Sequence, residues 1–252
     1  MRHTIPSPLL LTALMGSLLA CGAAQAQTAA EPEVSLSFNL GLTTDYRFRS
    51  ISQSSFKPAV QAGVDLSHKN GLYAGAWGST VNWVKDFAGA TDGSLELDVY
   101  GGYRGELAKD VGFDVGLIGY LYPSNNAATN ANTTEIYGAL SYGPVTVKYS
   151  RSLGNFVANA DSSGSQYLEV AATFDLGNGF TLTPHLGRQL IPNQANPGHY
   201  TDYSLTLGKD LGGGLSASLT AAGSDAQDSF YKVGTVDNLG KSGVYAGLKY
   251  SF

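Results

Sequence analysis

The sequence predicts an all-β protein, a single-chain antiparallel transmembrane β-barrel of 12 strands with both termini on the periplasmic side. Three observations carry that expectation. Apolar residues recur at every second position in a dozen short segments. The connections between those segments alternate between short and long. Only 14% of the 252 residues are charged, against about 25% in soluble domains. Period two puts alternate side chains on opposite faces of a strand. Lipid cannot satisfy backbone N–H and C=O groups, so a sheet that spans it must close on itself. A β-sandwich or lipocalin-like barrel with its apolar face inward needs a charged exterior, which this composition does not supply. The net charge of −5, with no basic patch, argues against a nucleic-acid partner. A single cysteine excludes a disulfide framework and a thiolate zinc site.

The chain opens on an export address. Arg2 supplies a positive end, Leu9 to Ala20 form a short apolar core, and Ala24-Gln25-Ala26 gives the small-x-small pattern of signal peptidase. Residues 1–26 are therefore expected to be a cleaved signal peptide, and residues 27–252 the barrel domain. Leu18-Leu19-Ala20-Cys21 offers a competing lipobox reading, with lipidation at Cys21. No later stretch approaches 18 consecutive apolar residues, so no transmembrane helix is expected.

The alternating segments follow in order. Val34, Leu36, Phe38, Leu40 and Leu42 share one face, and the same phase runs on through Tyr46 and Phe48, against Asp45, Arg47 and Arg49. Val60, Ala62, Val64 and Leu66 oppose Gln61, Asp65 and Ser67. Leu72 to Trp83 is rich in Gly and aromatics, and its inward face is ambiguous. Leu95, Leu97, Val99 and Tyr103 oppose Glu96, Asp98 and Arg104, and Val111, Phe113, Val115 and Leu117 oppose Asp114 and Tyr120. Weaker patterns occupy 134–142 and 145–152. Leu168, Val170, Ala172, Phe174 and Leu176 then face away from Glu169, Thr173 and Asp175. Segments around Phe180–Leu186, Tyr203–Leu207 and Leu215–Leu219 repeat the pattern. The last segment sets Val244, Ala246, Leu248, Tyr250 and Phe252 on one face.

Five short turns are expected at 69–71, 108–110, 143–144, 177–179 and 212–214, where Gly and Asn supply the positive φ that tight hairpins demand. Six longer connections lie near 50–57, 84–93, 123–133, 153–165, 190–199 and 224–241. This is the arrangement of outer-membrane barrels, with short periplasmic turns and long external loops. Tyr73, Phe113, Phe174, Phe180 and Phe252 fall near the short-turn ends, as an aromatic girdle requires. Leu248, Tyr250 and the terminal Phe252 resemble the C-terminal signal that the barrel-assembly machinery reads.

Three blocks carry a family resemblance. Thr44-Asp45-Tyr46-Arg47-Phe48-Arg49-Ser50-Ile51-Ser52-Gln53-Ser54 through Lys57-Pro58-Ala59, Gly71-Leu72-Tyr73-Ala74-Gly75-Ala76-Trp77, and Glu96-Leu97-Asp98-Val99-Tyr100-Gly101-Gly102-Tyr103 resemble the TorF family of proposed porins, a Gcw-type conserved family of bacterial outer-membrane proteins. The resemblance runs over essentially the whole of 27–252 and implies an outer-membrane barrel proposed to be a porin. It supplies no substrate. Ser50 departs from the family pattern, where Arg-Gly-Ile-Ser is expected, and this bears on the entry turn of the first loop.

Alternation sends Asp45, Asp65, Glu96, Asp98, Asp114, Glu135, Glu169, Asp175 and Asp202 into the lumen, with Arg47, Arg49, Arg104, Lys148 and Lys249. Acids outnumber bases, so a weakly cation-preferring channel for small polar solutes or ions is expected. Arg47 and Arg49 together form a local anion-attracting step at the external mouth. In the competing reading these charges pair across strands and plug a narrow barrel, which then acts as an adhesin, receptor or structural protein through its loops. The 224–241 loop, with Phe230 and Tyr231, is its best candidate surface. A remote third reading is a lipid-acting enzyme using His185, but no G-x-S-x-G elbow accompanies it. His68 and His199 have no evident partner. Asn159 to Gly164 matches half of a calcium loop, with Val170 where the bidentate Glu belongs. No cofactor, metal or catalysis is expected, and the partners are outer-membrane lipid, the assembly machinery and the solutes themselves. Oligomeric state is not set by the sequence.

Overall fold

A computed structural model describes residues 33–252. The signal peptide at 1–26 and Cys21 lie outside the described residues. Twelve antiparallel staves close into one barrel. They are β1 (Val34–Thr43), β2 (Ala59–His68), β3 (Leu72–Thr80), β4 (Leu95–Ala108), β5 (Val111–Leu121), β6 (Thr133–Tyr142), β7 (Val145–Ser152), β8, β9 (Phe180–Leu190), β10 (Tyr200–Gly212), β11 (Leu215–Ser224) and β12 (Gly243–Ser251). β8 comprises Gln166–Ala172 and Phe174–Gly177, interrupted at Thr173, and both halves pair with β9. Each stave pairs with its chain neighbour, and β1 pairs with β12 in the register Leu42↔Leu248 to close the ring. At the end of that seam the Phe38 and Phe252 amides each donate to the other's carbonyl, at 2.9 and 3.0 Å, and the two rings stack at 5.7 Å. Among the described residues no helix is long and apolar enough to cross a membrane.

The expected apolar faces point outward. Leu40, Leu117, Leu168, Leu205 and Leu248 are each about half exposed, and the same phase holds around the whole barrel. A soluble protein rarely leaves so large a continuous apolar surface uncovered. Inside, glycine and tyrosine work as fitted pairs. Tyr100 on β4 lies flat across Gly75 on β3 and donates to Asp65 Oδ1 on β2 at 2.5 Å. A Cβ on Gly75 would fall 2.6 Å from the Tyr100 ring. Tyr137 crosses Gly116, and Tyr167 crosses Gly187, in the same manner. Many of the 32 glycines and 15 tyrosines thus belong to the lumen wall.

The long connections gather at the end opposite both described termini. They run from Thr44 to Pro58, Val81 to Ser94, Tyr122 to Asn132, Leu153 to Ser165, Ile191 to His199 and Asp225 to Ser242. Two carry short helices, α1 (Trp83–Asp86) and α2 (Asp228–Tyr231). Trp83, Val84, Tyr122, Tyr200, Tyr231 and Leu239 pack there into a buried core with Tyr46 and Ile51.

Three expectations need correction. The β1 phase does not continue outward through Tyr46 and Phe48: β1 ends at Thr43, and both rings turn into the barrel, Tyr46 being 7% exposed. Tyr73 is not a girdle residue, because it faces inward and donates to Asp114 Oδ1 at 2.5 Å. Phe230 and Tyr231 do not present a loop surface, since Tyr231 is buried and donates to the Gly198 carbonyl. The ambiguous third segment resolves with Tyr73, Trp77 and Ser79 inward. Gly75→Ala should force Tyr100 off its glycine seat and cost about 1–3 kcal/mol. A denaturant midpoint unchanged from wild type would show that the pairing does not matter to stability.

Candidate functional site in the lumen

The first loop, residues 44–58, enters the lumen and crosses it. Its core is a two-rung hairpin in which Arg47 pairs with Ser52 and Phe48 with Ile51. At the tip Arg49 and Ser50 both take left-handed backbone, with φ of 50° and 62°. This conformation costs a non-glycine residue about 1–2 kcal/mol. The glycine of the family pattern would adopt it freely, and Ser50 instead donates from Oγ to Asp202 Oδ1 at 3.2 Å. Asp45 holds the hairpin's base. It accepts from Arg47 Nε at 2.7 Å, Ser52 Oγ at 2.6 Å and Ser54 Oγ at 3.2 Å. Arg47 also donates to the Lys241 carbonyl at 2.7 Å.

Arg49 is the anchor on the far wall. Its two terminal nitrogens grip Glu135 on β6 at 3.0 and 2.6 Å, and one reaches Gln189 on β9 at 2.8 Å. The guanidinium lies over Tyr167 at 4.2 Å and Phe48 at 4.6 Å. The pair is deeply buried, with side-chain exposures of 7% and 1%. On the near wall Tyr46 donates to Glu96 Oε1 at 3.1 Å and meets Trp77 edge-on at 5.3 Å. Burial, and then the charges of Glu96 and Asp98, push the Tyr46 hydroxyl well above the ordinary tyrosine range, so it remains a donor at neutral pH. The hairpin therefore bridges β4 to β6, β9 and β10.

The expected lumen residues divide between two levels. Asp45, Arg47, Arg49, Glu96, Asp98, Glu135 and Asp202 lie at the level of the first loop. Asp65, Arg104, Asp114, Lys148, Glu169 and Lys249 lie on the inward faces nearer the short turns, while Asp175 stands exposed at the rim. Arg104 covers the Tyr73 ring at 4.8 Å and Lys148 the Tyr137 ring at 4.4 Å. The Tyr73 and Tyr137 hydroxyls bond to each other. Lys249 lies within Coulombic range of Asp65. Arg47 and Arg49 form no anion-attracting step, because each is committed to a carboxylate.

His185 sits between carboxylates, with Nε2 at 3.1 Å from Glu169 and Nδ1 at 3.5 Å from Asp202, and its further contact is the Tyr167 hydroxyl at 3.3 Å. The Glu169, Asp202 and Tyr167 contacts fix the orientation of the imidazole. His68 and His199 accept from the Asn70 and Ile191 amides. The Asn159 amide caps the Phe156 and Val157 carbonyls, so that segment is a self-bonded turn. The sequence reading does not reach the tyrosine network or Gln189, and it marks Ser50 only for the entry turn of the first loop. The signal of the network is a Tyr facing a Gly on the next strand, which becomes visible only once register is known.

A family model described as "Bacterial protein of unknown function (Gcw_chp)" matches residues 26–252. No curated protein matches the sequence. Among solved structures the chain is similar to the KdgM porin, with a TM-score of 0.56 and 9% identity over 86% of this chain and 99% of that one. It is also similar to the NanC porin, with a TM-score of 0.54 and 13% identity over 86% and 99%. The KdgM porin has a further structure in complex with disordered oligogalacturonate, at a TM-score of 0.55, 9% identity and coverage of 86% and 98%. At such identities the likeness establishes a shared barrel fold.

Removing one partner of a buried ion pair strands the other charge. Arg49→Ala should therefore lower unfolding free energy by about 3–5 kcal/mol, and adding Glu135→Gln should restore much of it. Equal losses in the single and double variants would show that the ion pair does not hold the loop.

Proposed function

We propose that this chain, which belongs to the Gcw_chp family of bacterial proteins, is a porin-like barrel of the bacterial outer membrane that passes small polar solutes or ions by passive diffusion. The observation that carries the reading is the two-faced wall, an apolar belt outside and a polar, charged lumen inside. Such a wall suits lipid on one side and water on the other. The blocks that resemble the TorF porins support the same reading. On the staves, Asp65, Glu96, Asp98, Asp114, Glu135, Glu169 and Asp202 outnumber Arg104, Lys148 and Lys249, which favours cations over anions. An acidic oligosaccharide, as found with the KdgM porin, fits this lumen poorly on charge alone.

The termini are assigned to the periplasm and the long loops to the exterior, with residues 1–26 acting as the export signal. Outer-membrane lipid is the partner of the belt. Leu248, Tyr250 and Phe252 are assigned as the assembly signal, so loss of Phe252 should reduce insertion in cells; normal insertion would remove that role. The proposal contains no catalytic step and no cofactor. A second reading is favoured by one observation: the first loop crosses the lumen and is ion-paired to its far wall. In that reading the barrel is closed and works through its external loops.

Planar-bilayer recording of protein purified from membranes under a potassium chloride gradient separates the two. The channel reading expects small single-channel steps with a cation-side reversal potential, and Asp65→Asn with Asp114→Asn should move it toward zero. Silence from protein shown to be folded and inserted would overturn the channel reading in favour of the closed barrel.

A further inference from the structure

Glu96 and Asp98 stand two residues apart on the inward face of β4, beneath the first loop, and both are 0% exposed. The other carboxylates at this level are answered. Asp45 has Arg47, Glu135 has Arg49, and Asp202 has the Tyr167 and Ser50 hydroxyls. Glu96 accepts from the Tyr46 hydroxyl and has the Tyr122 hydroxyl beside it. Its Oε2 and both oxygens of Asp98 have no hydrogen-bond partner among the described residues, and no basic side chain pairs with either group. Around them are the buried rings of Tyr46, Tyr120 and Tyr122.

Carboxylates taken out of water are tolerated when paired, neutralised by a proton, or coordinated to a metal ion. Side chains two apart on a strand project from the same face, so a single ion can lie between these two. Every nearby donor is an oxygen, which selects hard cations over those that seek nitrogen or sulfur. Two carboxylates without a counter-charge match a divalent ion. We infer that Glu96 and Asp98 form a binding site for a hard divalent cation of the calcium or magnesium class. Occupancy neutralises the acidic pair, and through Tyr46 it ties the first loop to β4. The inference deepens the lumen reading given above, but its test does not depend on conduction.

Both tryptophans of the chain report on the site. Trp77 is the register partner of Asp98, and Trp83 meets Tyr122 edge-on at 5.1 Å. The full chain, exported and purified from membranes in detergent, is stripped with EDTA. It is then titrated with calcium chloride or magnesium chloride at constant ionic strength. The expected result is a saturable change in tryptophan emission. With cation at a hundredfold excess over the dissociation constant, the melting temperature should rise by about 5–10 °C. Asp98→Asn should abolish both responses, and Glu96→Gln should weaken binding at least about tenfold, the smallest loss this titration resolves clearly. In EDTA, Asp98→Asn should melt at or above wild type, because it removes an uncompensated charge, and wild type should overtake it when cation is added. The site is overturned if neither salt gives a saturable response, if Asp98→Asn keeps the response, or if emission and stability follow pH alone, as a shared proton would require. Should Asp98→Asn fail to fold, a wild-type response that persists undiminished in Glu96→Gln overturns it equally. A silent bilayer with an intact calcium titration would count against the channel and leave the site standing.

Discussion

The structure depends on the closure of its hydrogen-bond ladder. Once Leu42 on β1 meets Leu248 on β12, no stave is left with an open edge. In lipid an open edge would leave unsatisfied N–H and C=O groups costing several kcal/mol each, so closure is a condition of the fold. The alternation follows from it. A closed wall has one face for lipid and one for the lumen, and a single-residue slip of any stave would exchange them.

Closure also sets the problem that the interior solves. A twelve-stranded ring is wider than the eight-stranded barrels that side chains fill, and narrower than the sixteen-stranded porins that leave a broad aqueous channel. Here the level near the short turns is lined by tyrosines laid across glycines, each carrying its hydroxyl past one stave to a group on the next. The opposite level is occupied by the first loop, whose hairpin tip is held by Arg49 in a bidentate, ring-stacked ion pair. The left-handed backbone at Arg49 and Ser50 is strain that these contacts offset.

Much of this was legible in the sequence. The strands, their count of twelve, the five tight turns and most outward faces follow from period-two patterning and from turn residues at positions of positive φ, glycine at four turns and Asp110 at the fifth. The inward direction of Asp65, Glu96, Asp98 and Asp114 follows from the same alternation. The course of the first loop was not legible, because Tyr46 and Phe48 keep the β1 phase although β1 has ended at Thr43. Alternation records which face a residue would take on a strand, and is silent once the chain leaves the sheet. The outward assignment of Tyr73 toward a girdle failed for a related reason. Its segment sets Tyr73, Gly75 and Trp77 on one face against Leu72, Ala74 and Ala76 on the other, so composition left the inward face open, and only the register with Gly102 and the bond to Asp114 show Tyr73 inward. The folding of Phe230 and Tyr231 into the loop core needed the third dimension as well.

The placement of the first loop inside the barrel decides how the lumen is organised. It is tested most directly by the rate at which a maleimide reagent labels Ser54→Cys in the folded protein, relative to Ala128→Cys on an exposed loop. Ser54 is 0% exposed, so labelling should be slower by at least about a hundredfold and should equalise on denaturation, as expected when access requires an opening of about 3 kcal/mol. Equal rates in the folded protein would place the loop outside the lumen.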